Sequence, residues 1–350
     1  MDTRDTPEQA ELRRTARQLA HELGPRIVAD LDDEKRRERL AAAVRAAGWL
    51  ELREDDAQGA PLASGVEAAI LADALGECVA DVPFAGPILA ADLARRAGAR
   101  PVEGAGVAFS RDLVEVAVAA GGTTDAPAFA VDMDGKGAAR AYVLAPEGDG
   151  WRLAIAEAAA EAGAGDATDL TRSVRALPAG ASVRPVPDQT RLLSRDDLDA
   201  WTALGLALTS ADLVGLMRGV LAVSVAYVGQ RKQYGVAVGS FQAVQHLLAE
   251  ACCLVEGAQS AAAYPAWAAD ALAPDAARAA GRVAKAYAAR AARTVCETAV
   301  QVHGGIGNTW DCMVHVHLRR ALLSSRWFGD DAEMLRQLAR ARLGGRDGLS

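Results

Sequence analysis

Two short stretches of this chain place reactive side chains at a spacing that suits ligand binding. The first is Gln230-Arg231-Lys232-Gln233-Tyr234-Gly235, a polar turn between two long apolar segments. A solvated connection between helices has this composition. A phosphate site has it too, with Arg231 supplying a fork of donors and Gly235 letting the chain turn close by. The second stretch is Gln301-Val302-His303-Gly304-Gly305-Ile306-Gly307. A glycine C-cap accounts for one of its glycines. Gly304, Gly305 and Gly307 together exceed what a cap needs and suggest backbone that another group approaches closely. The G-x-G it contains is no dinucleotide fingerprint, because a helical pattern and not a strand precedes it.

The remaining candidates read more simply. His303 is placed either to donate to a ligand from the glycine turn or to sit in a solvated loop. His315 and His317 lie two apart, which on a helix points them away from each other and argues against a metal pair. His21 and His246 fall in ordinary helical patterns, and Asp32-Asp33-Glu34 and Asp55-Asp56 read as solvated surface. The five cysteines are odd in number and scattered, with Cys252 and Cys253 adjacent, so neither a disulfide framework nor a zinc spacing is expected. A G-x-S-x-G nucleophile elbow is absent.

The elements that must carry these stretches follow from composition and period. Apolar residues make up 51% of the 350 and aromatics only 5%, so Ala, Leu and Val carry the apolar mass, which favours helices over a β-sandwich. A net charge of −8 argues against a nucleic-acid binder. No 18-residue stretch is both apolar and free of charge, and Met1 to Asp5 open no signal-like run, so the expectation is a soluble, cytoplasmic protein. Helical periods run over 7–23, 31–47 (stopped by Gly48), 65–79 and 85–98. Between about 101 and 190 the texture turns to short apolar runs. Val107 to Val118 precede a Gly121-Gly122 turn, and 128–131, 141–144 and 151–155 follow, broken by Asp134-Gly135 and Gly148-Asp149-Gly150. These predict antiparallel strands. Long helices return from Ser194, over 194–227, 242–272, 275–302 and about 314–342, with a polar turn at 231–240. Four long helices with three connections predict an antiparallel bundle.

Taken in order, Tyr227-x-x-x-Arg231-x-Gln233-Tyr234-Gly235, then Phe241-Gln242-x-x-Gln245-His246, then Gln301-x-x-Gly304-Gly305-x-Gly307 resemble the acyl-CoA dehydrogenase family. The likeness covers essentially the whole chain, and its specific motifs are C-terminal. It implies an α+β fold with an N-terminal helical domain (1–100), a shortened middle β-domain (101–190) and a C-terminal four-helix bundle (191–345). It implies the family's reaction, α,β-desaturation of an acyl thioester, in which a carboxylate removes the α-proton while the β-hydride goes to N5 of FAD. The resemblance also assigns roles. Arg231 contacts the FAD pyrophosphate, Tyr234 packs near the adenine, and Gln301 with Gly304 and Gly305 cradles the adenosine side. Gln233 and Gln242 join them as cofactor-binding residues. In the family these groups reach across a subunit interface to a flavin held by the neighbouring chain.

Departures from the family are as telling. Its usual base is a Glu before a Gly in the last helical region. Counted gap-free from Arg319, this chain reads Trp327-Phe328-Gly329-Asp330, which puts Phe328 at that position. Some members carry the base on the helix before the Arg motif, and counting back from Gly215-Leu216-Met217 puts that position at Gly205. Asp330 and Asp331 are near, but a shift of two helix positions turns a side chain about 200° away. The family's Thr-Glu-Pro-x-Ala-Gly-Ser-Asp-like strand and Trp-x-Thr-type segment have no counterpart between 101 and 190, where Trp151-Arg152-Leu153 is a faint echo.

The expectation is therefore a chain that keeps the half-site it lends to a neighbour and has lost its own. It resembles the short, base-less subunit of the α2β2 acyl-CoA dehydrogenases that actinobacteria use on steroid side-chain CoA thioesters. Such a chain has no catalytic residue of its own. It shares FAD with a paralogous catalytic partner, and that partner binds most of the acyl-CoA. Two alternatives stand beside this one. One is a complete homomeric enzyme using Asp330 or Asp331 as base. The other is a flavin-free scaffold on a decayed fold, which the retained Arg231 and Gln301–Gly307 disfavour.

Overall fold

In the computed structural model, which describes residues 4–56, 58–133, 139–158 and 168–343, several helices open on side chains that the sequence supplies for the purpose. The N-terminal helices are α1 (Pro7–Leu23), α2 (Glu34–Ala46), α3 (Gly65–Glu77) and α4 (Ala85–Arg96). Thr6 and Gln9 form a reciprocal capping box before α1, and Ser64 and Glu67 do the same before α3. The expected single helix from Leu31 is corrected. Leu31 lies in a 3-10 turn (Val28–Asp32), and Asp33 starts α2 by accepting the Arg36 N–H at 3.0 Å.

The middle segment holds β1 (Ala105–Phe109), β2 (Ala119–Ala120), β3 (Thr123–Thr124), β4 (Ala128–Val131), β5 (Ala139–Glu147), β6 (Gly150–Ala158), β7 (Val174–Leu177) and β8 (Val183–Pro185). Six of them form one sheet in the order β7-β4-β1-β5-β6-β8. Gly121-Gly122 makes the expected turn between β2 and β3, and the Gly148-Asp149 turn joins β5 to β6. The Asp134-Gly135 break and the chain ends at 1–3 and 344–350 lie outside the described residues. One pairing departs from the antiparallel expectation: β1 runs parallel to β5, with Gly106 opposite Ala141. An alternating pattern fixes which face is buried and says nothing of strand direction.

The C-terminal part begins with α5 (Arg195–Gln230), capped by Ser194 and Asp197. A short hairpin of β9 (Lys232–Gln233) and β10 (Val236–Ala237) leads to α6 (Gln242–Ala271), α7 (Pro274–His303), α8 (Val314–Arg326) and α9 (Asp331–Leu343). By length and composition α5 could cross a membrane, but the greater part of its most apolar stretch is buried, and it is the bundle's central helix. The expected fourth helix is two. It breaks at Trp327-Phe328-Gly329-Asp330, where Phe328 and Gly329 take φ of +68° and +98°.

One of the buried clusters runs through all three parts. Residues of α1 to α4, the sheet, α5 and the α8–α9 link form a single buried cluster. Close approach sets the crossing of α3 and α5: a Cβ at Gly76 would meet the Asp212 carbonyl at 2.5 Å, so the helices touch through backbone. Buried Arg53 pairs with Asp92 at 3.0 Å and Asp270 at 2.8 Å, joining the N-terminal helices to the end of α6.

Candidate functional site

Helices α5 and α7 run side by side in the same direction. Asp199 and Arg278 are ion-paired at their beginnings (2.6 Å), and the rings of Tyr227 and His303 stack at their ends, 4.2 Å apart and 18° from parallel. Both ligand-suited stretches therefore emerge at one end of the bundle. The Tyr227 carbonyl accepts the Arg231 N–H at 2.8 Å, and the Arg231 carbonyl accepts that of Val238, which closes the loop between α5 and α6. The expected polar turn is thus a β-hairpin. Gln233 pairs with Val236, which leaves Tyr234-Gly235 as a two-residue turn. Both take positive φ (+53° and +83°), as a type I′ turn requires. A bulky residue in that conformation is strained, and here it holds a tyrosine ring 93% exposed.

Arg231 and Gln233 are also exposed, and Gln242 opens α6 at this same end, exposed too. Gln301 points outward from the last turn of α7, and Gly304 and Gly305 follow it. A Cβ added at either of these glycines would meet nothing within 4 Å, whereas one at Gly307 would press on the Val300 carbonyl (2.9 Å) and the His303 Cβ (3.1 Å). The three glycines thus divide into one that packs and two that leave backbone open to a ligand. His303 is not a solvated loop residue. It is buried, bonds the Ala299 carbonyl through Nδ1 at 2.8 Å, and burial keeps its pKa below the ordinary histidine value. An exposed guanidinium, carboxamides, open glycine backbone and a projecting ring suit the phosphates and adenine of a dinucleotide. These residues could hold the adenosine-pyrophosphate half of FAD.

The two positions that counting along the sequence assigns to the family's base, Phe328 and Gly205, lie elsewhere, and they touch each other. Phe328 is 2% exposed, and its ring fills the space a Cβ at Gly205 would need. Phe109, Trp201 and Trp327 close the box, with ring centroids 5.1, 5.3 and 5.9 Å from that of Phe328. The Phe328 N–H donates to the Leu113 carbonyl at 2.8 Å, which holds the strained residue in place. Among the described residues, the nearest aspartates in sequence have other partners. Asp330 caps α9 by accepting the Glu333 N–H at 2.9 Å, and Asp331 pairs with Arg290 at 3.0 Å. The break in the helix overturns the expectation that two helix positions separate these aspartates from Phe328; a turn separates them instead.

Beside the box lies an ionic cluster that the sequence did not reveal. Asp212 of α5 pairs with Arg172 (2.9 Å) and Arg320 (2.6 Å) and accepts the Ser324 hydroxyl (2.8 Å). Burial alone would raise the Asp212 carboxyl, and the two guanidinium groups override it and hold it well below the carboxylate range. Arg172 also stands 5.7 Å over the Trp327 ring, and Lys285 donates to the Ser324 carbonyl. Burial, only partly offset by Asp212, pushes Lys285 down to about 7. Among the described residues no three His, Cys, Asp or Glu side chains gather to hold a metal, and all five cysteines are free. Among the described residues, aromatic rings thus pack around Gly205 and Phe328, and this ionic cluster meets them at Trp327.

The fold and these motifs define the class, and the comparisons agree with it. The model of the acyl-CoA dehydrogenase C-terminal domain matches residues 204–343. Acyl-CoA dehydrogenase IpdE2 of Mycobacterium tuberculosis is 31% identical over 236 residues, covering 65% of this chain and 69% of that protein. Acyl-CoA dehydrogenase FadE34 of the same organism is 37% identical over 135 residues, covering 39% of this chain and only 19% of that protein. The chain spans about half of the IpdE2 of Mycolicibacterium smegmatis (51%). The chain belongs to the acyl-CoA dehydrogenase family, whose members are FAD flavoproteins. Among solved structures, the ChsE4-ChsE5 complex from Mycobacterium tuberculosis has a TM-score of 0.74 at 20% identity, covering 100% of both chains. A steroid acyl-CoA dehydrogenase, Tcur3481-Tcur3483 (G363A variant), has 0.76 at 21%, covering 97% of this chain and 99% of that one. At such identities these two likenesses speak for the fold alone.

Proposed function

We propose that this chain is the non-catalytic subunit of a heteromeric, cytoplasmic, FAD-dependent acyl-CoA dehydrogenase. It lends Arg231, Gln233, Tyr234, Gln242, Gln301, Gly304 and Gly305 to a flavin whose ring and substrate a paralogous partner holds, in an α2β2 assembly. The observation that carries this reading is the burial of Phe328 against Gly205. The two positions from which family members draw their base are packed on each other here, and neither side chain can accept a proton. When bound, FAD supplies the hydride acceptor for α,β-desaturation. This chain's part is to bind and orient: the Arg231 fork for phosphate, the open Gly304-Gly305 backbone for the adenosine side, and the Tyr234 ring as a stacking face. Its own residues move no proton.

The substrate we infer is a bulky acyl-CoA, a steroid side-chain thioester. That class is taken by analogy from two proteins of the same fold, a heteromeric complex and a steroid enzyme. We also divide the chain into domains at 1–100, 101–190 and 191–345. The end of α4 at Arg96, the start of β1 at Ala105, the end of β8 at Pro185 and the start of α5 at Arg195 support these boundaries.

The test is co-expression with a longer acyl-CoA dehydrogenase paralogue encoded beside it, compared with each chain alone. Bound flavin and desaturation of a steroid acyl-CoA in the mixture, and neither in this chain alone, is the expected result. A yellow, active preparation of this chain alone would return the reading to a complete enzyme, and a colourless mixture would return it to a scaffold.

A further inference from the structure

Two flavin-facing stretches 70 residues apart in sequence, Arg231 to Gln301, work together only if something fixes the distance between them. The ends of long helices fray unless contacts beyond the helix hold their last turns. Here the last turns of α5 and α7 meet through Tyr227 and His303, with ring centroids 4.2 Å apart and planes 18° from parallel. The Tyr227 carbonyl accepts the Arg231 N–H, so Tyr227 holds the first residue of the hairpin. Gly239 adds to this, since a Cβ there would press on Val228 of the same turn (3.1 Å). On the other side His303 is the last residue of α7, its Nδ1 bound to Ala299, and Gly307 folds back onto its Cβ. Gly304 and Gly305, between those two anchors, are the residues left open. Each ring is thus one step from a binding stretch and in contact with the other ring.

We propose that the Tyr227–His303 stack is a positioning pair: it sets the Arg231 hairpin and the Gly304-Gly305 backbone at the separation that one dinucleotide needs. This rests on the flavin reading above and adds to it a residue pair that touches no cofactor. The stack itself is the agent. The Tyr227 hydroxyl lies 3.5 Å from the His303 carbonyl, at the limit of a hydrogen bond, and adds little.

The experiment measures FAD affinity of the co-purified complex by flavin fluorescence, together with the thermal midpoint of this chain alone, for Tyr227→Leu, Tyr227→Phe and Arg231→Ala. An aromatic pair contributes roughly three- to tenfold in an equilibrium constant. Tyr227→Leu is expected to weaken FAD by that factor with the midpoint of the chain little changed, and Tyr227→Phe to bind as the natural chain does. Arg231→Ala is expected to strip the flavin, roughly thirtyfold or more, because it removes a charge-assisted fork. If Tyr227→Leu binds FAD normally while Arg231→Ala does not, the positioning role is wrong and the flavin reading stands. Equal losses in Leu and Phe, or a loss in Leu matched by unfolding of the chain, also overturn the stack. Normal binding in Arg231→Ala would overturn the flavin reading and this inference with it.

Discussion

Position 205 has no room for a methyl group, because the Phe328 ring occupies it. Gly205→Ala is therefore expected to destabilise the chain by about 1–3 kcal/mol through overpacking. Phe328→Leu in the same chain should recover most of that, since it withdraws the ring. The coupling is read from urea midpoints in a double-mutant cycle. Additive effects would mean that the two residues are not packed as described. Counting from separate anchors in the sequence singled out Phe328 and Gly205, and the structure brings the two into contact. That they fill each other's space was not legible, because contact between α5 and the α8–α9 link depends on the tertiary fold. His303 was open to two readings for the same reason. Its ring stacks on Tyr227, which approaches from another helix.

The elements themselves were read well where a strong period runs between caps, as in α1, α5, α6 and α7. The break between α8 and α9 escaped because Trp327 and Phe328 continue the apolar pattern, while the backbone turns extended at Trp327 and takes positive φ at 328 and 329. The parallel β1–β5 pairing escaped because alternation carries no direction. Buried charge on a helix escaped too, since Lys285 in the Ala-rich α7 looks like any solvated lysine. Its burial has a consequence for pH dependence. The folded chain gives up the Lys285 proton near pH 7, while the unfolded chain keeps it up to the ordinary lysine value of about 10.4. Between these values the unfolded state binds more protons, so stability rises with pH, by at most about 1.4 kcal/mol per unit from this group. Lys285→Met should flatten that rise, measured as urea midpoints from pH 7 to 10. An unchanged slope would mean that Lys285 stays charged beside Asp212.

For the assembly as a whole, one end of the bundle presents strained, exposed and open groups, while the described residues around Phe328 and Gly205 are packed with rings beside ion pairs. On the reading proposed above, such a chain contributes to one flavin and holds none by itself. The assembled complex should therefore contain one FAD for each pair of unlike chains. Flavin absorbance after denaturation, set against the amount of each chain from quantitative amino-acid analysis, gives the ratio. One FAD per unlike pair is the predicted value, and two per pair would mean that the region around Phe328 opens to hold a flavin after all.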